Sequence, residues 1–249
     1  MKILALDSSG LVASVAIVED EILVAEYSIQ YKKTHSQTLL PMLAEIKQMT
    51  ELDLGSVDAI ALAAGPGSFT GLRIGSATAK GLGLALDLPL VEVPTLEGLA
   101  YNMYGASGYV CPIMDARRGQ VYTGIYEFLP RMEGEIHSFQ MNIICGQCAI
   151  AVEEIIQKLN DLGKPVIFLG DGVPVYQEKL AELMEVAYFL APSSMNRQRA
   201  ASIAALGGQY YKNGQSISAD THHPVYLRLS QAERERQAKQ KEGTEKSYA

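Results

Sequence analysis

The sequence is poor in the residues that staple or metallate a small fold. It holds three cysteines and four histidines among 249 residues. An odd cysteine count argues against a disulfide framework. Basic residues are also short, with 21 Lys and Arg against 28 Asp and Glu and a formal net charge of -7. Nucleic-acid binders usually carry a basic footprint, because Lys and Arg displace counterions from phosphates. Any nucleic-acid contact is therefore expected to be indirect or confined to a small patch. No apolar run approaches the ~20 residues that a membrane helix needs. The opening Met1-Lys2 leads straight into Ile3-Leu4-Ala5-Leu6 and is broken by Asp7, so no targeting segment is read there and the expected compartment is the cytoplasm. What the chain does have is length for one large domain or two lobes, and 48% hydrophobic residues to fill a core.

Hydrophobic periodicity predicts the order of elements. Ile3–Asp7, Val12–Glu19 and Ile22–Ser28 read as a three-stranded antiparallel meander. The period then turns helical, with Leu39, Met42, Leu43, Ile46 and Met49 on one face. Pro41 leaves two readings: a helix starting near Thr38, or one starting at Thr34 and kinking. Val57–Ala63 reads as a buried strand, followed by a helix to about Leu86, a strand at Leu90–Val93 and a short helix at Thr95–Tyr104. The pattern then restarts. Tyr109–Met114 ends at Asp115, turns through Ala116–Gly119 and returns as Gln120–Tyr126, so that Asp115 falls where Asp7 falls. A helix at Ala149–Leu159, a strand at Val166–Leu169 and a helix at Arg197–Lys212 follow. Two related α/β lobes are expected, residues 1–105 and 106–230, in the layout of the actin, sugar-kinase and Hsp70 class. The polar stretch from Gln231 to Ala249 reads as a disordered or frayed tail.

Candidate chemistry is thin. Gly65–Gly71 lacks the Gly-Lys-Ser/Thr ending of a P-loop. Thr70 stands where a dinucleotide fingerprint needs its third glycine, and Ser68 is in no nucleophile elbow. The plain reading is a tight strand-to-helix turn. Asp7, Asp115 and Gly170-Asp171-Gly172 lie at strand ends, where actin-like enzymes place metal and phosphate, though a capped turn explains each as well. Cys145 and Cys148 form a Cys-x-x-Cys pair that is short of zinc ligands, and ordinary half-buried thiols are expected. His222 and His223 are chain neighbours whose side chains diverge, and His35 reads as a cap. No Ser/His/Asp set or paired-His site emerges. The helix after Gly71 is odd, since Gly71, Gly75, Ala79 and Gly83 recur every four residues with Ala77, Gly81 and Ala85 beside them. Each interior glycine costs ~0.5–1 kcal/mol relative to alanine. Close packing recovers that loss, either inside the chain or against a second protein.

Five segments carry a resemblance to a known family. Ile3-Leu-Ala-Leu-Asp-Ser-Ser, Thr34-His-Ser-Gln-Thr-Leu-Leu-Pro41, Gly65-Pro-Gly-Ser-Phe-Thr-Gly-Leu-Arg-Ile-Gly75, Met114-Asp-Ala-Arg-Arg-Gly119 and Pro224-Val-Tyr-Leu-Arg228 occur in the order of the bacterial TsaB (YeaZ) family. The chain resembles it from about residue 1 to 233, with Gln120 in place of an expected acidic residue. The resemblance implies an actin-like (ASKHA) fold and a non-catalytic subunit of the machinery that places threonylcarbamoyl on tRNA adenosine. It further implies pairing with the transferase TsaD through the first-lobe helices, work with the ATPase TsaE, tRNA contact only through these, and a possible homodimer alone. Carried over, the interface residues are His35, Leu39, Met42, Leu43, Ile46, Gly71, Arg73, Gly75 and Ala79. TsaD bears His-x-x-x-His on the helix after its Gly-Pro-Gly segment, and Thr95 and Leu99 stand at those places here. No metal-dependent chemistry is thus expected, and no catalytic residue or cofactor is assigned, with nucleotide binding in the lobe cleft left open. The alternatives are an actin-fold enzyme, a small-molecule kinase or glycoprotease-like metalloenzyme, and a homodimeric binding protein.

Overall fold

The computed structural model describes residues 1–31, 33–133 and 136–228, so the tail expected from Gln231 lies outside the described residues. Strand β1 (Lys2–Asp7) is an almost unbroken apolar run and takes the centre of a sheet. It pairs antiparallel with β2 (Ala13–Glu19) in the register Lys2↔Glu19 to Asp7↔Ser14, and parallel with β4 (Ala59–Gly65). Strand β3 (Ile22–Ile29) returns through a tight turn in which Asp20 and Glu21 are both left-handed, the geometry a two-residue hairpin needs. With β5 (Leu90–Pro94) the strand order is β3-β2-β1-β4-β5. The crossovers are α1 (His35–Met49) and α2 (Phe69–Leu86), whose apolar sides close one face of the sheet.

The second half repeats this plan. Strands β6 (Tyr109–Asp115), β7 (Gln120–Glu133), β8 (Ile136–Ala151), β9 (Val166–Leu169) and β10 (Tyr188–Leu190) form a sheet of order β10-β9-β6-β7-β8. Strand for strand, that is the order of the first sheet. Helices α4 (Val152–Leu162) and α5 (Val173–Leu183) cover one of its faces. The duplication read from Asp7 and Asp115 is therefore a duplication of the whole lobe plan, and the fold is the expected actin-like one.

The remaining face of each sheet is closed by a helix from the other half. Helix α6 (Ala200–Lys212) packs Ala200, Ile203, Ala204 and Leu206 on β1, β2, β4 and β5. Helix α3 (Thr95–Tyr101) packs Leu96, Leu99 and Ala100 against Val110, Tyr126 and Phe128. The start of α6 is tied to the first sheet as well. Ala200 N donates to Ser14 Oγ at 2.9 Å and Ala201 N to Glu26 Oε1 at 3.0 Å, which satisfies two of the helix's orphan donors.

Several boundaries differ from the sequence expectation. Helix α1 begins at His35, earlier than Thr38, and Pro41 lies inside it on the exposed side. The carbonyl that Pro41 cannot bond belongs to Gln37, which is also exposed, so water can take that acceptor. Helix α4 begins at Val152, and not at Ala149, because Cys148 to Ala151 continue a ladder with Gln120 to Thr123. That ladder makes β7 and β8 a long hairpin, of which the sequence reading gives only Gln120–Tyr126. Helix α3 stops at Tyr101, and α6 starts three residues after Arg197.

Candidate docking face and interlobe cleft

Helix α2 starts where Ser68 Oγ accepts the Gly71 amide at 3.3 Å. Its inward side is Gly71, Leu72, Gly75, Ser76, Ala79 and Gly83. A Cβ on Gly71 or Gly75 would come under 3.0 Å from Ser8, the first at its carbonyl oxygen and the second at its Oγ. Ser8 Oγ in turn donates to Gly71 O at 2.8 Å. The stripe carrying Gly75 is thus the seat of α2 on the β1–β2 turn, within this chain. Helix α1 behaves alike: Leu39, Met42, Leu43 and Ile46 are buried in the core beside Ala79. His35 is half-buried, and its Nε2 lies 2.9 Å from Gly10 O. Of the nine residues expected at an interface, Arg73 alone is exposed.

The open side of α2 is the other stripe. Arg73, Ala77, Gly81 and Ala85 are exposed at four-residue spacing, with Leu84 62% exposed beside them. A Cβ on Gly81 would meet nothing within 4 Å. Neighbouring α1 contributes Leu40, Ala44 and Met49, the last 74% exposed. The sequence carries no signal that separates the two rows, since Leu72 stands beside the buried one and Leu84 beside the exposed one.

The C-terminal segment borders this face. Lys80 Nζ donates to Asp220 O at 2.9 Å and His222 O at 3.0 Å, and Val225 N donates to Ala64 O at 2.7 Å. Tyr226 then lies over Phe69 with ring centroids 4.9 Å apart. The Arg73 guanidinium sits 4.0 Å above the Phe69 ring, and its Nε donates to Tyr226 OH at 3.2 Å.

Between the lobes is a cleft of about 520 Å³ lined by the β1–β2 and β6–β7 turns, the start of α2 and Asp171. The aspartates at the strand ends face their own turns. Asp7 Oδ1 accepts Ser9 N at 2.8 Å and Ser9 Oγ at 2.7 Å, and burial pushes its carboxyl up to about 6. Asp115 Oδ1 accepts Arg117 N at 2.8 Å and Tyr176 OH at 3.3 Å. Burial also raises Asp171. Gly170 is a turn residue at φ 109° packed on Ile113 O, and does not present its amide as a free cradle: Gly170 N donates to Asn196 O at 3.0 Å.

Thr95 and Leu99 are both engaged inside the chain. Thr95 Oγ1 accepts Gly65 N at 3.1 Å, and Leu99 is 1% exposed in the core under the second sheet. His222 is buried against Glu92 while His223 is exposed, so the neighbours do diverge. Cys145 and Cys148 are half-buried free thiols on a strand, opposite Ile125 and Thr123, and not at a helix start. Among the described residues no three His, Cys, Asp or Glu side chains are grouped as a metal site needs. No helix among them is long and apolar enough to cross a membrane.

Comparison with known proteins converges on one group. The sequence model for TsaD, tRNA N6-adenosine threonylcarbamoyltransferase, matches residues 23–236. The chain is 32% identical over 235 residues to the tRNA threonylcarbamoyladenosine biosynthesis protein TsaB of Bacillus subtilis (strain 168), covering 94% of this chain and 96% of that one. It is 29% identical over 230 residues to the protein of the same name from Escherichia coli (strain K12), covering 92% and 95%. It superposes on the structure of YeaZ from Pseudomonas aeruginosa with a TM-score of 0.73 at 28% identity, over 91% of this chain and 99% of that one.

Proposed function

The chain belongs to the TsaB family, and from that premise we propose that it is a non-catalytic subunit in the biosynthesis of threonylcarbamoyladenosine in tRNA. The relatives' names supply the pathway. The observation that carries the subunit role is the open face of α1 and α2, where Ala77, Gly81 and Ala85 leave room for a helix at the close end of the ~8–10 Å interaxial range. On this reading a TsaD-like transferase subunit docks there. A TsaE-like ATPase joins the assembly, tRNA is held through these partners, and the free chain uses the same face to pair with itself. The setting is the cytoplasm. Residues 1–105 and 106–230 serve as the two lobes, the first bearing the docking helices.

The non-catalytic part of the reading draws on Thr95 and Leu99. A hydroxyl that caps a strand end and a buried isobutyl group supply no pair of metal ligands one helical turn apart. Asp7 Oδ1 and Asp115 Oδ1 each accept a backbone amide of their own turn. The test is reconstitution with TsaD and TsaE homologues, tRNA, and the threonylcarbamoyl donor. Modification is expected with all three proteins, to fall to background when this chain is left out, and to be absent with this chain alone. Modification by the chain alone, or an undiminished rate without it, overturns the proposal.

A further inference from the structure

We propose that Arg73 is the charge anchor of the docking face, presenting a pre-set guanidinium to a carboxylate on the docked subunit. The inference rests on the docking role given to α1 and α2. An exposed arginine ordinarily samples many rotamers, and fixing it on binding consumes part of the interaction free energy. Here the fixing is already done. Phe69 supports the plane of the guanidinium from one side at 4.0 Å, and Tyr226 OH accepts its Nε at 3.2 Å. The two terminal nitrogens remain, and among the described residues none of the hydrogen bonds or ion pairs involves them. Such a pair offers two parallel N–H donors, which match the two oxygens of a carboxylate.

The surroundings select the partner. Arg73 heads the exposed row Ala77, Gly81 and Ala85, and Lys80 on the same helix is occupied by the carbonyls of Asp220 and His222. A phosphate-rich ligand such as RNA calls for several cations together. One free guanidinium beside small apolar residues fits one acidic side chain on a protein surface. As the apolar row is covered, the ion pair loses water and its geometry decides its strength. Tyr226 is then a positioning residue, which gives the segment around Pro224–Arg228 a part in recognition.

The experiment is titration calorimetry of the full chain with the transferase subunit from the same organism, with melting curves as folding controls. Arg73→Glu is expected to weaken association by about 100-fold and Arg73→Lys by about 10-fold, since a lysine keeps the charge and loses the fork. Tyr226→Phe should weaken the native chain several-fold, yet change nothing in an Arg73→Ala background. One acid-to-arginine substitution on the transferase should restore binding to Arg73→Glu. Wild-type affinity for Arg73→Ala, with binding lost in Gly81→Leu, overturns the anchor and leaves the docking face standing. Wild-type affinity for both removes the docking face and the anchor with it. Undisturbed subunit binding with weakened tRNA binding by the assembled complex assigns Arg73 to a phosphate and contradicts the proposal.

Discussion

At the scale of single residues, Gly75 shows how a correct pattern can point the wrong way. Its spacing with Gly71 and Ala79 was legible, but spacing alone does not say which side of a helix meets the core. The deciding contact is with Ser8, 67 positions earlier, and becomes visible only when β1 and α2 are brought together. Gly75→Leu is therefore expected to overpack the seat of α2 and cost ~1–3 kcal/mol, read as a lowered melting temperature. Asp7 yields a second expectation. Its pKa of about 6 lies above the ordinary 3.8, so between these values the folded chain holds a proton that the unfolded chain has released. Folding stability then falls as pH rises through that window, and the full penalty is present above about pH 6. Two units correspond to ~3 kcal/mol. The stability of Asp7→Asn relative to the native chain should rise by up to that amount from pH 4 to pH 7, measured by denaturant titration at each pH. A constant difference across the window contradicts the assignment.

Elements were legible in proportion to their length and period. Strands β1 and β6 and helix α2 were found nearly to their ends, since each pairs a strong apolar run with a clear turn. Helix α4 was started too early because Ala149-Ile150-Ala151 suit a helix on propensity, while the ladder to β7 outweighs propensity. Helix α5 and strand β10 went unread. The first carries Val173, Tyr176 and Leu180 at helical spacing behind a proline in its first turn, a signal that was present in the sequence. The second is three residues long and owes its existence to its neighbour β9. For the open row of α2, Gly81→Leu should leave folding intact or raise stability by up to ~1 kcal/mol, because an exposed glycine gives way to a better helix former. Thermal melts of Gly75→Leu and Gly81→Leu should move in opposite directions.

At the scale of the molecule, the repeated first strand and its acidic residue disclosed the two-lobe plan, and what they could not disclose was the exchange of α3 and α6. That exchange depends on contacts between residues ~100–200 positions apart, such as Ser14 with Ala200 and Glu26 with Arg199 and Ala201. Each lobe completes the core of the other, and the face proposed for a partner is the outward side of α1 and α2 in the first lobe. The net charge of -7 bears on the same assembly. The chain alone is expected to shift tRNA only weakly at physiological salt, and a sub-micromolar affinity in a mobility-shift assay contradicts that.

The surface proposed for docking of the transferase subunit is the outward row of α2, with α1 beside it. Sedimentation velocity of the native chain and of Gly81→Leu, each mixed with a TsaD homologue, tests it directly. A complex is expected with the native chain and two separate boundaries with Gly81→Leu, although that variant melts no lower than the native protein. A complex of undiminished affinity with a well-folded Gly81→Leu would place the docking surface elsewhere and overturn this assignment.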